Sequence, residues 1–211
     1  QAFETFNPGC VIHLAALHFI PYCDAHPKET LEVNVGGTHA VLSACVRWGA
    51  RTAVFASTGA LYSSATHPLN ELRDQPAPVD VYGLSKLLGE QICAFFNMNT
   101  GLNCRVARFF NAYGPYETNP HLIPHIMESL RKGPSVELGN IHTKRDYIYV
   151  EDLASLLFRY SQIDGEKKTI TNIGTGVEYS AQEIVDCVAD LLGTPIKILS
   201  NPKRTRQVDK L

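Results

Sequence analysis

Short runs of consecutive apolar residues alternate with stretches of helical spacing through the first half of the chain. Cys10-Val-Ile-His-Leu-Ala15 is apolar almost throughout and ends in small residues, the pattern of a strand buried on both faces. From about Lys28 to Trp48 the apolar positions Leu31, Val35, Val41, Leu42 and Cys45 fall at helical intervals, and Gly49 closes that helix. Thr52-Ala-Val-Phe-Ala56 repeats the buried-strand pattern. Residues 57–80 read as loop, punctuated by Pro68, Pro76 and Pro78. Val81 to about Met98 returns to helical spacing and is followed by Gly101, and Cys104-Arg-Val-Ala-Arg-Phe-Phe110 is a third strand. Strand, helix, strand, helix, strand at this spacing builds a parallel sheet, so the fold class is α/β.

After Asn111 the texture changes. Gly114, Pro115, Pro120, Pro124 and Gly133-Pro134 divide the chain into short pieces. A helix near Leu122–Arg131, a strand at Val136–Leu138, a helix over Val150–Tyr160 and a strand at Thr169–Ile173 are expected. A last helix, Ser180–Leu192, starts from a Ser-x-x-Glu capping box at Ser180 and Glu183. The division expected is residues 1–115 for the main sheet domain and 116–211 for a smaller lobe, with some later segments returning to the main sheet. No internal repeat or low-complexity stretch is present.

Composition narrows the class of partner. The 211 residues are 45% hydrophobic and 19% charged, with a formal net charge of −2. That balance gives no reason to expect nucleic acid or an anionic membrane as partner. No run of 18 apolar residues occurs, so no membrane span is expected. The six cysteines (Cys10, Cys23, Cys45, Cys93, Cys104, Cys187) form no C-x-x-C pair, and several lie in apolar runs. They read as reduced, mostly buried thiols of a cytoplasmic protein. No metal site is expected. His121 and His125 are four apart, but Pro124 lies between them and no acidic ligand accompanies them. Gln1-Ala-Phe-Glu-Thr-Phe-Asn7 reads as the tail of a helix, and the chain stops abruptly after Asp209, so a fragment truncated at both ends is expected.

The chemistry concentrates on Tyr82-Gly-Leu-Ser-Lys86. On a helix, residues four apart share a face with Cβ atoms roughly 5–6 Å apart. A nearby ammonium favours the phenolate, so the Tyr82 pKa is expected to fall toward the working pH and suit it to acid–base work. In open parallel sheets, ligands bind at the carboxyl ends of the strands. His13-Leu-Ala-Ala16 ends the first strand, Ser57-Thr-Gly59 the second, and Asn111 with Tyr113-Gly-Pro115 the third. Ala15 and Ala16 admit close approach of a flat cofactor, and Thr58 lies within reach of Tyr82. His18 either faces the substrate or is simply a loop residue.

These segments carry a family resemblance. Val11-Ile-His-Leu-Ala-Ala16, Val33-Asn-Val-Gly-Gly-Thr38, Ser57-Thr58 with Leu61-Tyr62, and Tyr82-Gly-Leu-Ser-Lys86 resemble the extended short-chain dehydrogenase/reductase family, in its NAD-dependent nucleotide-sugar epimerase/dehydratase branch. Arg108-Phe-Phe-Asn-Ala-Tyr-Gly-Pro115, Lys144-Arg-Asp-Tyr-Ile-Tyr-Val-Glu-Asp152 and Asn172-Ile-Gly-Thr-Gly176 continue the series in family order. The resemblance implies a partial Rossmann-type doubly wound parallel sheet with a smaller α/β substrate-binding lobe. It implies NAD as cofactor, with NADP possible, and a nucleotide-diphosphate sugar as substrate. Tyr82 would be the acid/base, Lys86 the residue that binds the nicotinamide ribose, and Thr58 the hydroxyl of the triad. Ala15, Ala16, Asn34, Ser57 and Phe109 would line the cofactor together with Tyr82 and Lys86. Thr58, Asn111, Leu122, Val136, Arg145 and Arg206 would contact substrate, with Arg145 on its phosphates or else in a surface ion pair with Asp146 or Glu151. Relatives that dimerise through two helices imply a homodimer through the helices near 28–48 and 81–98.

Two departures qualify the resemblance. The family's opening strand and Gly-x-x-Gly-x-x-Gly turn, which seats the cofactor pyrophosphate, does not occur, so the chain by itself is expected to bind NAD poorly. Sugar-nucleotide 4,6-dehydratases of this branch need an acidic pair directly after the Ser/Thr, and here those positions are Gly59 and Ala60. That leaves hydride chemistry, either 4-epimerisation through a 4-keto intermediate or 4-keto reduction. A non-catalytic binding member of the fold, or an inactive fragment, is the alternative from another class.

Overall fold

The apolar runs at the start of the chain pair as neighbouring parallel strands. The computed structural model describes residues 2–63, 65, 67–163 and 169–204. They form two units, one of residues 2–63, 67–110, 151–163 and 169–173, the other of 65, 111–150 and 174–204. The first unit thus takes in 151–163 and 169–173 from later in the chain.

In the first unit, β1 (Cys10–His13), β2 (Thr52–Thr58), β3 (Asn103–Phe109) and β7 (Ile170–Ile173) form one all-parallel sheet in the order β1-β2-β3-β7. The register sets Phe55 beside His13 and Val106, and Ser57 beside Arg108, which in turn sits beside Asn172. α1 (Ala2–Phe6) precedes the sheet. After β1 come α2 (Ile20–Ala25), α3 (Pro27–Leu31), a π-helical turn over Glu32–Gly36, and α4 (Gly37–Arg47). The single helix expected over 28–48 is therefore interrupted by a wide turn, and α2 was not expected. Gly49 takes the left-handed conformation (φ 73°) that ends the helix without a Cβ clash. α5 (Val81–Asn99) starts at Asp80, whose carboxylate accepts from the Gly83 amide at 2.6 Å.

The core of this unit packs Leu42 and Cys45 of α4 and Cys93 and Phe96 of α5 onto Ala53, Phe55, Cys104 and Val106 of the sheet. All six cysteines are free thiols. Cys23, Cys45, Cys93 and Cys104 are buried, and burial pushes the Cys45 thiol up to about 11. α7 (Val150–Gln162) buries Leu153, Leu157 and Tyr160. Its last turn is tied to β3 by Arg105, whose guanidinium donates to the Tyr160 and Ile163 carbonyls.

In the second unit, β4 (Asn111–Tyr113) pairs parallel with β6 (Lys144–Tyr149), which pairs antiparallel with β8 (Glu178–Ser180). β5 (Ser135–Leu138) pairs parallel with β9 (Lys197–Ser200). α6 (Leu122–Leu130) and α8 (Ala181–Leu192) cover these strands around Ile126, Val136, Leu138 and Val185. The capping box at Ser180 and Glu183 is formed in both directions. Among the described residues no helix is long and apolar enough to cross a membrane.

The contact that places α5 is made by a glycine. A Cβ on Gly89 would stand 2.4 Å from the Phe55 ring. Glycine in a helix interior costs about 1 kcal/mol against alanine, so its presence here reflects close approach of helix to strand. Gly89→Ala is expected to destabilise the protein by about 1–3 kcal/mol through overpacking, read as a lower urea midpoint. An unchanged midpoint would mean that α5 and β2 can separate freely.

Candidate active site

α5 lies along β2 so that its first two turns flank the strand's carboxyl end. A Cβ on Gly83 would meet Pro78 at 2.9 Å and the Ala60 carbonyl at 3.3 Å, which fixes Tyr82 beside the turn after β2. That turn, a 3-10 segment over Gly59–Leu61, begins at Thr58, and the Thr58 hydroxyl accepts from the Ala60 amide at 3.1 Å. The Thr58 side chain lies close enough to the Tyr82 phenol to favour its ionised form. One turn further along α5, Lys86 is 3% exposed, and its ammonium donates to the Ala56 carbonyl at 2.8 Å. The ammonium nitrogen lies 5.0 Å from the centroid of the Phe55 ring and 5.9 Å from that of Tyr82. Thr58, Tyr82 and Lys86 are thus brought together.

The electrostatics of the pair differ from the expectation drawn from spacing. Burial pushes the Tyr82 phenol up to about 12, and the nearby Thr58 hydroxyl opposes this only in part. Burial also pulls the Lys86 ammonium down to about 8. Desolvation disfavours whichever form is charged, and here it outweighs the expected help from ammonium to phenolate. Tyr82 is accordingly a protonated phenol at neutral pH, able to donate a proton. His13 is held neutral, first by burial and then by the Lys86 charge, with its Nε2 3.2 Å from the Thr38 hydroxyl.

The expected cofactor-lining residues divide into two kinds. Ala15 is exposed and Ala16 half-buried beyond the end of β1, and Phe109 is half-buried at the end of β3. Asn34 and Ser57 are instead committed to the protein. The Asn34 amide accepts from the Leu17 amide at 2.8 Å and donates to the Leu17 carbonyl and the Ser85 hydroxyl, each at 2.9 Å. It sits in the π-helical turn and ties the loop after β1 to the helix that carries Tyr82. Ser57 is fully buried and donates to Glu90 at 2.5 Å, so its side chain supports the strand end and does not line an open surface.

Sequence reasoning passed over what Glu90 meets. The Arg108 guanidinium donates from Nε and Nη2 to the two Glu90 oxygens at 2.8 and 2.6 Å, and from Nη1 to the Tyr62 hydroxyl at 2.7 Å. Tyr62 donates in turn to Asn172 at 2.8 Å. The signal available was a glutamate on the apolar face of α5, four residues after Lys86, and an arginine inside an apolar strand.

The remaining predicted residues belong to the second unit. The Asn111 amide donates to the Asp146 carbonyl at 3.2 Å, beside Arg145 on β6. The Asp146 carboxylate accepts from the Thr175 amide and hydroxyl and from the Gly176 amide. Val136 is 1% exposed inside the apolar core and Leu122 packs against that core, so the side chain expected to contact substrate from position 136 is a core residue. His125 Nε2 lies 2.9 Å from the Glu137 carbonyl, and His121 lies 3.6 Å from Glu117. Arg206 lies outside the described residues.

Residues 1–174 match the model of the NAD dependent epimerase/dehydratase family. The chain belongs to this family. It is 27% identical over 96% of its length to GDP-6-deoxy-D-mannose reductase of Pseudomonas aeruginosa, covering 69% of that protein. It is 29% identical over 97% of its length to UDP-glucose 4-epimerase of Lacticaseibacillus casei, covering 67% of it. Among solved structures it resembles UDP-glucose 4-epimerase from Thermotoga maritima with UDP-glucose, with a TM-score of 0.88 at 25% identity over 99% of this chain and 68% of that one. It also resembles RMD from Pseudomonas aeruginosa complexed with NADPH, with a TM-score of 0.86 at 28% identity over 96% of this chain and 71% of that one. The chain thus spans about two thirds of the relatives it matches.

The family implies a nicotinamide cofactor, and the donor set at Lys86 suits one end of it. The ammonium has three N–H groups and spends one on Ala56, which leaves donors for the hydroxyls of a ribose. No glycine-rich turn for the pyrophosphate occurs in these 211 residues.

The buried ammonium gives a pH signature. A lysine whose folded pKa lies at about 8, against 10.5 unperturbed, destabilises the fold fully below the lower value, and the penalty fades as pH rises toward the upper one. Lys86→Met is expected to be more stable than wild type at neutral pH, and that advantage should shrink by about 2–3 kcal/mol between about pH 7 and about pH 10. Urea unfolding of both proteins at the two pH values checks this. A difference independent of pH would show that Lys86 is not held in a desolvating site.

Proposed function

We propose that this chain carries the catalytic residues of an NAD-dependent nucleotide-sugar 4-epimerase. The observation that carries the reading is Thr58 close to the Tyr82 phenol, with the Lys86 ammonium one turn away, at the carboxyl end of a parallel strand. When bound, the nicotinamide takes and returns a hydride at the sugar C4 carbon. Tyr82 holds the proton of the C4 oxygen, Thr58 orients that oxygen, and Lys86 binds the cofactor ribose. Asn111 and Arg145 hold the diphosphate, for which a guanidinium fork is suited.

The absence of an acid after Thr58 argues against water elimination. A Cβ on Gly59 would stand 2.6 Å from the Phe110 ring, so an acidic side chain there would have to displace Phe110. A second reading, 4-keto reduction, is favoured by one observation. The relative from Pseudomonas aeruginosa is named GDP-6-deoxy-D-mannose reductase.

The test is an assay of this chain within a full-length protein that supplies the glycine-rich turn, against UDP-, GDP-, CDP- and dTDP-sugars with NAD or NADPH. Epimerisation is expected without net cofactor consumption, and stoichiometric oxidation of NADPH would select the reductase reading. Tyr82→Phe is expected to lose on the order of 10²-fold or more in kcat with the fold intact. Turnover by that variant at the wild-type rate would overturn both readings.

We infer a homodimer through α4 and α5 as part of the same reading. Leu84, Leu88, Phe95 and Met98 make an exposed apolar stripe along α5, with Phe95 56% and Met98 77% exposed. Phe95→Glu is expected to convert a dimer to a monomer in sedimentation velocity. A wild-type monomer at micromolar concentration would remove the proposal.

A further inference from the structure

Outside the three reacting side chains, the most complete polar construction in the first unit is a row across the carboxyl end of the sheet. Ser57 on β2, Arg108 on β3 and Asn172 on β7 are adjacent in register. Glu90 reaches them from α5, and Tyr62 from the segment after the turn. Ser57, Glu90, Arg108 and Tyr62 are each no more than 4% exposed.

A buried ion pair is a poor way to gain stability alone. Desolvation of the two charges offsets most of their attraction, and well-packed apolar residues of similar volume often do as well or better. What the pair provides is direction. Arg108 spends three N–H groups on three fixed acceptor atoms, and Glu90 accepts from both Arg108 and Ser57.

The acceptors and donors so fixed bracket Thr58. Ser57 precedes it and is bound to Glu90. Tyr62 follows the Gly59–Leu61 turn and is bound to Arg108 and Asn172. Both ends of the segment that carries the Thr58 hydroxyl are therefore tied to one ion pair, and Glu90 of that pair lies on the same helix as Tyr82. We propose that the Glu90–Arg108 pair is a positioning device that holds the Thr58 hydroxyl in register with Tyr82. Glu90, Arg108 and Tyr62 act through Thr58 and do not touch substrate. The proposal rests on Thr58 and Tyr82 being the reacting pair.

The test compares wild type with Glu90→Gln and with the apolar double variant Glu90→Met/Arg108→Met. Three quantities are read: the urea midpoint, hydrogen exchange at the Ala60 amide, which donates to the Thr58 hydroxyl, and kcat and KM with NAD and UDP-glucose as probe. The double variant is expected to keep a midpoint close to wild type while Ala60 exchange rises about tenfold or more. Its kcat is expected to fall on the order of 10²-fold, with KM within about threefold. Glu90→Gln, which keeps the volume and an acceptor for Ser57, is expected to move the same readouts less. A double variant with wild-type midpoint, wild-type Ala60 protection and wild-type kcat overturns the proposal. If the double variant does not fold, Glu90→Gln decides by the same criterion. If wild type does not turn over the probe, Ala60 exchange decides the positioning role, and the missing turnover counts against the proposed function alone.

Discussion

The approach of α5 to β2 is the constraint from which the site follows. Two glycines on one helix, Gly83 and Gly89, sit where any side chain would collide with the Ala60 carbonyl, Pro78 or the Phe55 ring. Between them Lys86 lies under the helix and donates to Ala56 of the strand. Tyr82 has no freedom to choose its partner once those contacts are made, because the helix cannot slide or lift without opening the core around Phe55, Cys93 and Phe96. The Thr58 side chain then falls close to the Tyr82 phenol as a consequence of backbone packing, with no contact between long flexible side chains needed to bring it there.

The same packing sets the ionisation of the site. Removing water from a phenol and an ammonium moves their pKa values apart, the phenol up to about 12 and the amine down to about 8. Attraction between ammonium and phenolate works the other way, and at a separation of 5.9 Å from the ring centroid it does not prevail. The resting state is a neutral proton donor beside a cation that can still release its proton at moderately alkaline pH. A site in this state is ready to protonate an oxygen, which is the step shared by both halves of the proposed chemistry: the return half of an epimerisation and the single half of a reduction.

How much of this was legible in the sequence depends on the kind of interaction. The apolar runs at Cys10, Thr52 and Cys104 were legible as strands; β2 and β3 are buried almost throughout, whereas β1, at one end of the sheet order, leaves Ile12 exposed. Tyr82 and Lys86 were legible because helical spacing is rigid. Lys144–Tyr149 was not legible as a strand, since three of its six residues are charged and its pairing with Asn111–Tyr113 is made by backbone. The π-helical turn at Asn34 was invisible for a related reason. Nothing in local spacing records that an asparagine amide will bond Leu17 and Ser85, residues far apart along the chain. That the Ser57 side chain meets Glu90 was not legible, because a serine at a strand end reads alike whether it faces a ligand or a buried glutamate. That the Val136 side chain lies in the core was not legible, because a strand of four residues does not reveal which of its faces is covered.

Along the sheet of the first unit, chemistry is graded from one end of the strands to the other. Toward their amino ends the α5-facing positions are Ala53, Cys104 and Val106, and they join a wholly apolar cluster. At the carboxyl end the same face carries Ser57, Arg108 and Asn172, each with a hydrogen-bonded partner. An apolar row at that end would have packed at least as well, yet it would have left the Thr58 turn anchored only by its own backbone. Apolar contacts tolerate small rotations and slides, because their energy depends on area and not on direction. Hydrogen bonds weaken steeply with misalignment, so a row of them resists such motion. The core toward the amino ends thus supplies stability, and the polar row supplies fixed geometry on either side of Thr58.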